Sequence, residues 1–117
     1  MPSRVIAFTA DLMFSSNIDA TLRQAGRDVA VVEDLVSLER ELAMPECGIV
    51  ILDLHSDVEA GAVVMLCAPK SVPVLAFGRH TEPHLLRDAR DAGCVEVVPR
   101  STFVEEMASL VNRLAAS

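Results

Sequence analysis

The sequence predicts a three-layer α/β sandwich around a five-stranded parallel sheet. Five short runs rich in β-branched residues alternate with longer segments of helical spacing. Parallel strands need crossover helices, and helices on both faces of the sheet give three layers. The length of 117 residues fits one domain, residues 1–117, and five strands in so short a chain favour the order 2-1-3-4-5. The predicted strands are residues 4–9, 28–32, 48–53, 72–77 and 95–98.

The first two predicted helices, residues 17–25 and 35–43, follow the first two strands. In each helix apolar residues recur at every third or fourth position, with charged residues between them or on the opposite side. Both are therefore predicted to be amphipathic helices at the surface. Their apolar stripes are Ile18, Leu22 and Ala25 in the first helix and Leu35, Leu38 and Leu42 in the second.

The third predicted helix begins at Ser56 and ends before Pro69. Glu59 follows Ser56 at the spacing of a capping box, in which both side chains satisfy free backbone N–H groups. The second half of this segment, residues 62–68, contains no polar residue. We therefore expect this helix to be more buried than its neighbours.

The fourth and fifth predicted helices also have recognisable ends. Thr81 is placed to cap the fourth helix, Pro83 lies in its first turn, and Gly93 suits the left-handed position that ends it. Thr102 and Glu105 repeat the capping-box spacing at the start of the fifth helix. The apolar stripe of that last helix is Met107, Leu110, Val111 and Leu114.

Composition and charge exclude several classes of protein. Hydrophobic residues make up 51% of the chain and its mean hydropathy is +0.38, which is enough apolar material for a packed core. The longest apolar stretch, residues 60–68, is less than half of the roughly 20 residues that cross a bilayer. The apolar run at residues 5–8 is too short for a secretory signal, so we expect a cytoplasmic protein. A net charge of −7 repels phosphate backbones, so nucleic acid is not an expected partner.

The three cysteines, Cys47, Cys67 and Cys94, are widely separated and lie in apolar surroundings. No C-x-x-C pair or histidine cluster accompanies them, as a zinc site would require. We expect buried free thiols.

The functional crevice of such a sheet lies at the carboxyl ends of its first and third strands. Asp53 closes an otherwise apolar third strand, so its carboxylate should project into this crevice. An alternative is that Asp53 caps the helix that follows, because aspartate is a preferred capping residue. The other residues placed at the strand ends are Thr9, Ala10, Asp11, Gly78 and Arg100.

Three stretches carry a resemblance to a known family: I-V-I-L-D ending at Asp53, V-P-V-L at residues 72–75 and D-A-G-C at residues 91–94. Over essentially its full length the chain resembles the CheY-like receiver domains of bacterial response regulators, which have a flavodoxin-like fold. The resemblance implies that Asp53 occupies the position of the phospho-acceptor aspartate. Counting from Gly93 without gaps, Arg100 stands where the family has a lysine.

The departures from the family concern its chemistry. The acidic pair that holds Mg²⁺ after the first strand is replaced by Thr9 and Ala10. Asp11, one residue later, could share a metal ion with Asp53, or it could cap the first helix. Metal binding should therefore be weak. Gly78 stands in place of the hydroxyl residue that contacts the phosphoryl group, and Arg100 is a planar, permanently charged fork instead of a lysine.

These substitutions predict a pseudo-receiver, a signalling domain that acts through protein–protein interaction, with no cofactor and no enzymatic activity. The alternative is a genuine receiver that a histidine kinase phosphorylates on Asp53. We also expect Arg100 to pair with Asp53 across the crevice. The expected partner is a signalling protein such as a histidine kinase or an output protein. A homodimer could form through the fourth helix, fifth strand and fifth helix, although the charges there could equally serve only to solvate a monomer.

Overall fold

The computed structural model of the protein describes residues 3–116, and within this range five parallel strands form one sheet. Their order is β2-β1-β3-β4-β5, so the predicted fold class and strand order are confirmed. Strands β1, β3 and β4 lie in the middle of the sheet, with β3 between the other two. The strands are β1 (Arg4–Phe8), β2 (Val29–Val32), β3 (Cys47–Asp53), β4 (Val74–Gly78) and β5 (Glu96–Pro99).

Helices cover both faces of the sheet, as the alternating pattern predicts. One core packs α1 and α5 against the sheet, and the other packs α2, α3 and α4 against the opposite face. Successive residues of β3 point alternately into these two cores, with Val50 and Leu52 on one side and Ile49 and Ile51 on the other. The helices are α1 (Leu12–Gln24), α2 (Leu35–Leu42), α3 (Ala60–Cys67), α4 (Pro83–Ala92) and α5 (Arg100–Leu114).

Helix α1 begins at Leu12, five residues before the predicted start at residue 17. Its N-cap is Asp11, whose Oδ1 accepts a hydrogen bond from the Phe14 N–H at 3.0 Å. The sequence pattern missed this first turn because its outer residues, Leu12 and Met13, are 76% and 85% exposed and do not extend the buried stripe.

The start of α3 corrects a second prediction. The helix begins at Ala60, and Ser56 is not its cap, because the Ser56 N–H donates to the Asp53 carbonyl in a turn four residues earlier. At the other end a 3-10 turn, Ala68–Lys70, carries the chain through Pro69. The helix is less buried than predicted. Val63 and Cys67 are buried, but Met65 is 77% exposed.

The predicted threonine caps of the last two helices are also wrong. Helix α4 follows Glu82, not Thr81, and α5 begins at Arg100 so that Thr102 lies inside it; neither helix has a side-chain cap. Prolines define these starts instead, since Pro83 is the first residue of α4 and Pro99 directly precedes α5. At the end of α4 the prediction is confirmed, because Gly93 has a φ of 110°, which strains any residue with a side chain.

The cysteines have no disulfide partner among the described residues. Cys67 and Cys94 are buried as predicted, and Cys47 is half-buried. Burial raises the pKa of the Cys67 thiol to about 12 and that of Cys94 to about 11. Across residues 3–116, no helix has the length and apolar character that a membrane crossing requires.

Candidate functional site

The carboxyl edge of the sheet brings Asp53, Thr9 and Gly78 together, because β1, β3 and β4 are neighbours and end at the same level. Asp53 is the last residue of β3 and is 8% exposed. Thr9 directly follows β1 and is 1% exposed. The residues predicted at the ends of β1, β3 and β4 therefore lie at one edge of the sheet, and the buried carboxylate of Asp53 is among them.

Both carboxylate oxygens of Asp53 accept hydrogen bonds from the chain itself. Oδ2 accepts from the Thr9 hydroxyl at 2.8 Å, and Oδ1 accepts from the His55 N–H at 2.9 Å. These bonds compensate for part of the cost of burying a charged group. They also show that Asp53 does not cap α3, whose first residue lies seven positions later in the chain.

The Asp11 carboxylate contacts other groups than Asp53. Oδ1 caps α1 through Phe14, and Oδ2 lies 3.7 Å from Nη2 of Arg100. Of the two alternatives for Asp11, the helix cap is the one observed. The neighbouring Ala10 is exposed and provides no ligand. Nowhere in residues 3–116 do three histidine, cysteine or carboxylate side chains come together in a group that could hold a metal ion.

Arg100 does not pair with Asp53, so that prediction is wrong. As the first residue of α5, it places its guanidinium over the Phe14 ring, 4.4 Å from the ring centroid, and beside Asp11. The Phe14 ring belongs to a stack with Phe77 and Phe103, which joins α1, β4 and α5. A cation over an aromatic face and beside a carboxylate has two favourable contacts, which a move toward Asp53 would break.

Gly78, the last residue of β4, lies in a crowded place. A Cβ atom at this position would lie 3.2 Å from Cδ2 of Leu86 and 3.3 Å from Cδ1 of Leu54. Both distances are tighter than ordinary van der Waals contact, so a side chain here would displace its neighbours. Gly78 has no hydroxyl, and two leucine side chains pack closely against this end of β4.

His55 contributes to this edge of the sheet in a way that the sequence did not indicate. It lies in the turn after β3, and its side chain is half-buried, with 20% of it exposed. Nε2 accepts a hydrogen bond from the Arg79 N–H at 3.0 Å, so the neutral ring carries its proton on Nδ1, which lies 3.5 Å from Oε2 of Glu82. The ring joins the loop after β3 to the loop after β4. Only the pairing of those strands brings together residues 24 positions apart.

Solved structures share this architecture over nearly the whole chain. A response regulator from Thermotoga maritima superposes with a TM-score of 0.81 at 12% identity, covering 97% of this chain and 98% of that one. The Vibrio cholerae chemotaxis protein CheY4 gives a TM-score of 0.80 at 18% identity, covering 97% and 99% of the two chains. This chain has the receiver-domain fold. The receiver domain of a Pseudomonas aeruginosa sensor histidine kinase, with a magnesium ion in its active site cleft, gives 0.81 at 15% identity, covering 97% and 98%.

The solved structures support the receiver fold, whereas the comparisons of sequence do not identify it. No family model matches the sequence, and neither does any curated protein. Sequence identities of 12–18% with these three solved structures establish the fold and leave the chemistry of the crevice to be argued from its own residues.

Proposed function

We propose that this protein is a receiver-like signalling domain that works through protein–protein contacts, without phosphoryl transfer and without a cofactor. The observation that carries the proposal is that both acidic residues at this edge of the sheet already have partners within the chain. Asp53 is held by Thr9 and His55, and Asp11 is held by α1 and Arg100. A metal ion would have to compete with these contacts for both carboxylates.

The crevice does not suit Mg²⁺, which prefers octahedral coordination by oxygen and is recruited through carboxylates. Thr9 and Ala10 stand where the resembling family has its acidic pair, and the Thr9 hydroxyl proton already points to Asp53. An ion shared by Asp11 and Asp53 would compete with the helix cap and with Arg100 for the Asp11 carboxylate. We therefore infer weak metal binding at most.

Phosphoryl transfer relies on positioning and on cations that neutralise the developing charge. Arg100, the cation that the resemblance places at this site, is directed toward Phe14 and Asp11. Gly78 provides no hydroxyl, and a Cβ atom there would lie in tight contact with Leu54 and Leu86. Each of these features weakens a different part of the reaction.

The test is to incubate the protein with Mg²⁺ and a small acyl phosphate and to measure its intact mass. We expect no added phosphoryl group, with a phospho-accepting receiver treated in parallel as the positive control. A stoichiometric gain of one phosphoryl group that Asp53→Ala abolishes would support the alternative, a genuine receiver phosphorylated by a histidine kinase.

The expected partner is a signalling protein, such as a histidine kinase or an output protein, and the proposal places the domain in the cytoplasm. The surface formed by α4, β5 and α5 is a candidate for self-association. Val95 is 53% exposed on it, whereas Val97 is buried. Arg87 and Asp91, four residues apart in α4, form no ion pair with each other.

A further inference from the structure

Helix α3 is apolar on every side. Its eight residues, Ala60–Cys67, include no charged residue and no serine, threonine, asparagine or glutamine. A helix of this composition is ordinarily buried all round. Here Val63 and Cys67 are the buried residues, and the side chain of Met65 is 77% exposed. One apolar face of α3 therefore lies on the surface of the described chain.

This face borders a groove between α3 and α2. The groove has a volume of about 340 Å³, and its lining residues belong to these two helices. Val36 of α2 is 69% exposed there, so the exposed apolar surface extends from one helix to the other. Exposed apolar surface that is contiguous in this way commonly marks a site of interaction. The lining consists of Leu35, Val36, Glu39, Ala62, Met65 and Leu66.

The charge beside the groove is negative. Glu39 is the one charged residue that lines it among residues 3–116. A second cavity, between α3 and α4, shares Leu35 and Ala62 with the groove, and the charged residues of the described chain that line it are all acidic. They are Asp57, Glu59 and Asp88. None of these four carboxylates has an ion-pair partner within residues 3–116.

These charges indicate the chemistry of the partner. A second copy of the chain would place its own acidic residues against those beside the groove, and like charges across an interface disfavour association. Nucleic acid is disfavoured for the same reason. A partner that carries lysine or arginine beside an apolar surface is complementary to the groove in both respects.

The walls of the groove favour a helix as the occupant. Both walls are helices, whose backbone hydrogen bonds are internal, so the groove presents side chains and no sheet edge to which a strand could add. A helix satisfies its own backbone and presents apolar side chains at every third or fourth position. We propose that the groove between α2 and α3 binds an amphipathic helix of a partner protein, with apolar residues on its inner face and basic residues along its edges.

The proposal rests on the function proposed above in one respect, that the domain acts through protein contacts. The groove itself lies on the α2, α3 and α4 side of the sheet and includes none of the residues around Asp53. A phosphorylated Asp53 would overturn the proposed function and leave the groove to its own test. A groove that binds no helix would overturn the present proposal alone.

The test uses a synthetic peptide of leucine and lysine with its leucines spaced to form one helical face. A length of about 18 residues is suitable, because shorter isolated helices are marginal. Titration into the full chain at constant ionic strength should give saturable amide NMR shifts at Val36, Ala62 and Met65. A scrambled peptide of the same composition, and a peptide with glutamate in place of lysine, should each bind at least about tenfold more weakly. Equal binding of either control, or no shift at these amides, would overturn the proposal.

A pair of methionine variants tests the apolar contact. Met65→Gln should raise the dissociation constant of the leucine–lysine peptide about tenfold, because an apolar side chain loses its burial in the complex. Met13→Gln makes the same change at a methionine that is 85% exposed on α1, on the opposite face of the sheet, and should leave the dissociation constant unchanged. Both side chains are exposed, so neither variant should lower the Tm. Equal weakening by the two variants would contradict binding in the groove.

A pair of glutamate variants tests the charge. Glu39→Gln should raise the dissociation constant about two- to fivefold, the usual size of one exposed ion pair. Glu105→Gln makes the same change on α5, across the sheet, and should have no effect. Equal weakening by both would show that the peptide responds only to net charge and would overturn the proposal.

Sedimentation tests the other occupant, a second copy of the chain. We expect Met65→Gln to leave the oligomeric state unchanged. A dimer that this variant dissociates would show that a second copy covers the groove and would contradict the proposed helix.

Discussion

Thr9 and Asp53 form the buried polar pair that distinguishes this crevice at the residue scale. The hydroxyl donates to a carboxylate that is 8% exposed, so little water is available to replace it. Thr9→Val keeps the shape of the side chain and removes the donor. We expect the free energy of unfolding to fall by about 1–3 kcal/mol, the usual cost of a buried acceptor left unpaired.

Urea denaturation measures this change, and Thr9→Ser serves as the control because it keeps the hydroxyl. The serine variant should be more stable than the valine variant. If Thr9→Val unfolds at the same urea concentration as the unmodified protein, the Thr9–Asp53 hydrogen bond contributes nothing to stability.

The cysteines allow a second prediction at the residue scale. Burial raises the pKa of all three thiols, to about 12 for Cys67 and about 11 for Cys94. Because the thiolate is the reactive form, Cys67 and Cys94 should resist a disulfide reagent at neutral pH while the half-buried Cys47 reacts first. Labelling followed by peptide mapping checks this order, with the urea-unfolded protein as the fully labelled control. Labelling of Cys67 before Cys47 would contradict the burial described here.

At the scale of the elements, Asp11 joins the start of α1 to the start of α5 through the Phe14 cap and the contact with Arg100. Asp11→Ala should lower the free energy of unfolding by about 1 kcal/mol, the usual cost of losing an N-cap. Asp11→Asn keeps the capping oxygen and loses the charge, so it should recover most of that stability. Equal losses for the two variants, measured by thermal unfolding, would assign the effect to Arg100 instead of the cap.

An ion pair between Glu96 at the start of β5 and Arg113 in the last turn of α5 has a predictable pH dependence. Hydrogen bonds from Arg113 hold the pKa of Glu96 below its ordinary value of 4.5. The folded state therefore binds this proton more weakly than the unfolded state, and the pair stabilises the fold above pH 4.5. That stabilisation is lost as the pH falls through the lowered pKa.

Glu96→Gln tests this sign. The variant should be slightly less stable than the unmodified protein at neutral pH, because the pair is largely exposed. The difference should shrink to nothing in acid, below the lowered pKa of Glu96. A difference that persists unchanged at low pH, in urea titrations across that range, would assign it to packing.

At the scale of the whole molecule, the prediction concerns association through α4, β5 and α5. The exposed Val95 and charges of both signs are what a symmetric, self-complementary surface requires. We expect a dimer in sedimentation at micromolar concentration, weakened by the combined change of Arg87→Glu and Arg113→Glu. Arg113 also pairs with Glu96 in its own chain, so Arg87→Glu alone is the cleaner variant. A monomer at every concentration would contradict the predicted dimer, and these charges would then serve only to solvate the surface.

The order of strands and helices could be predicted from the sequence because it depends on local patterns. The β-branched runs and helical stripes each appear within about ten residues, and the crossover rule then leaves few arrangements of the sheet. The helix starts at Ser56, Thr81 and Thr102 were wrong because a capping spacing shows only what a side chain could do. In the folded chain the Asp53 carbonyl holds the turn at Ser56, and prolines begin the two later helices.

Within the candidate site, the sequence by itself determined that Asp53 would end a buried strand and that Thr9, Ala10 and Gly78 lack the groups of the resembling family. Only the tertiary structure decided how the charges pair. Phe14 and Asp11 hold Arg100 away from Asp53, and the ring of His55 reaches the backbone of Arg79. These contacts join residues that are far apart in the chain. Several neighbouring groups could pair with each charge or polar atom, and the choice among them depends on how the sheet and helices assemble.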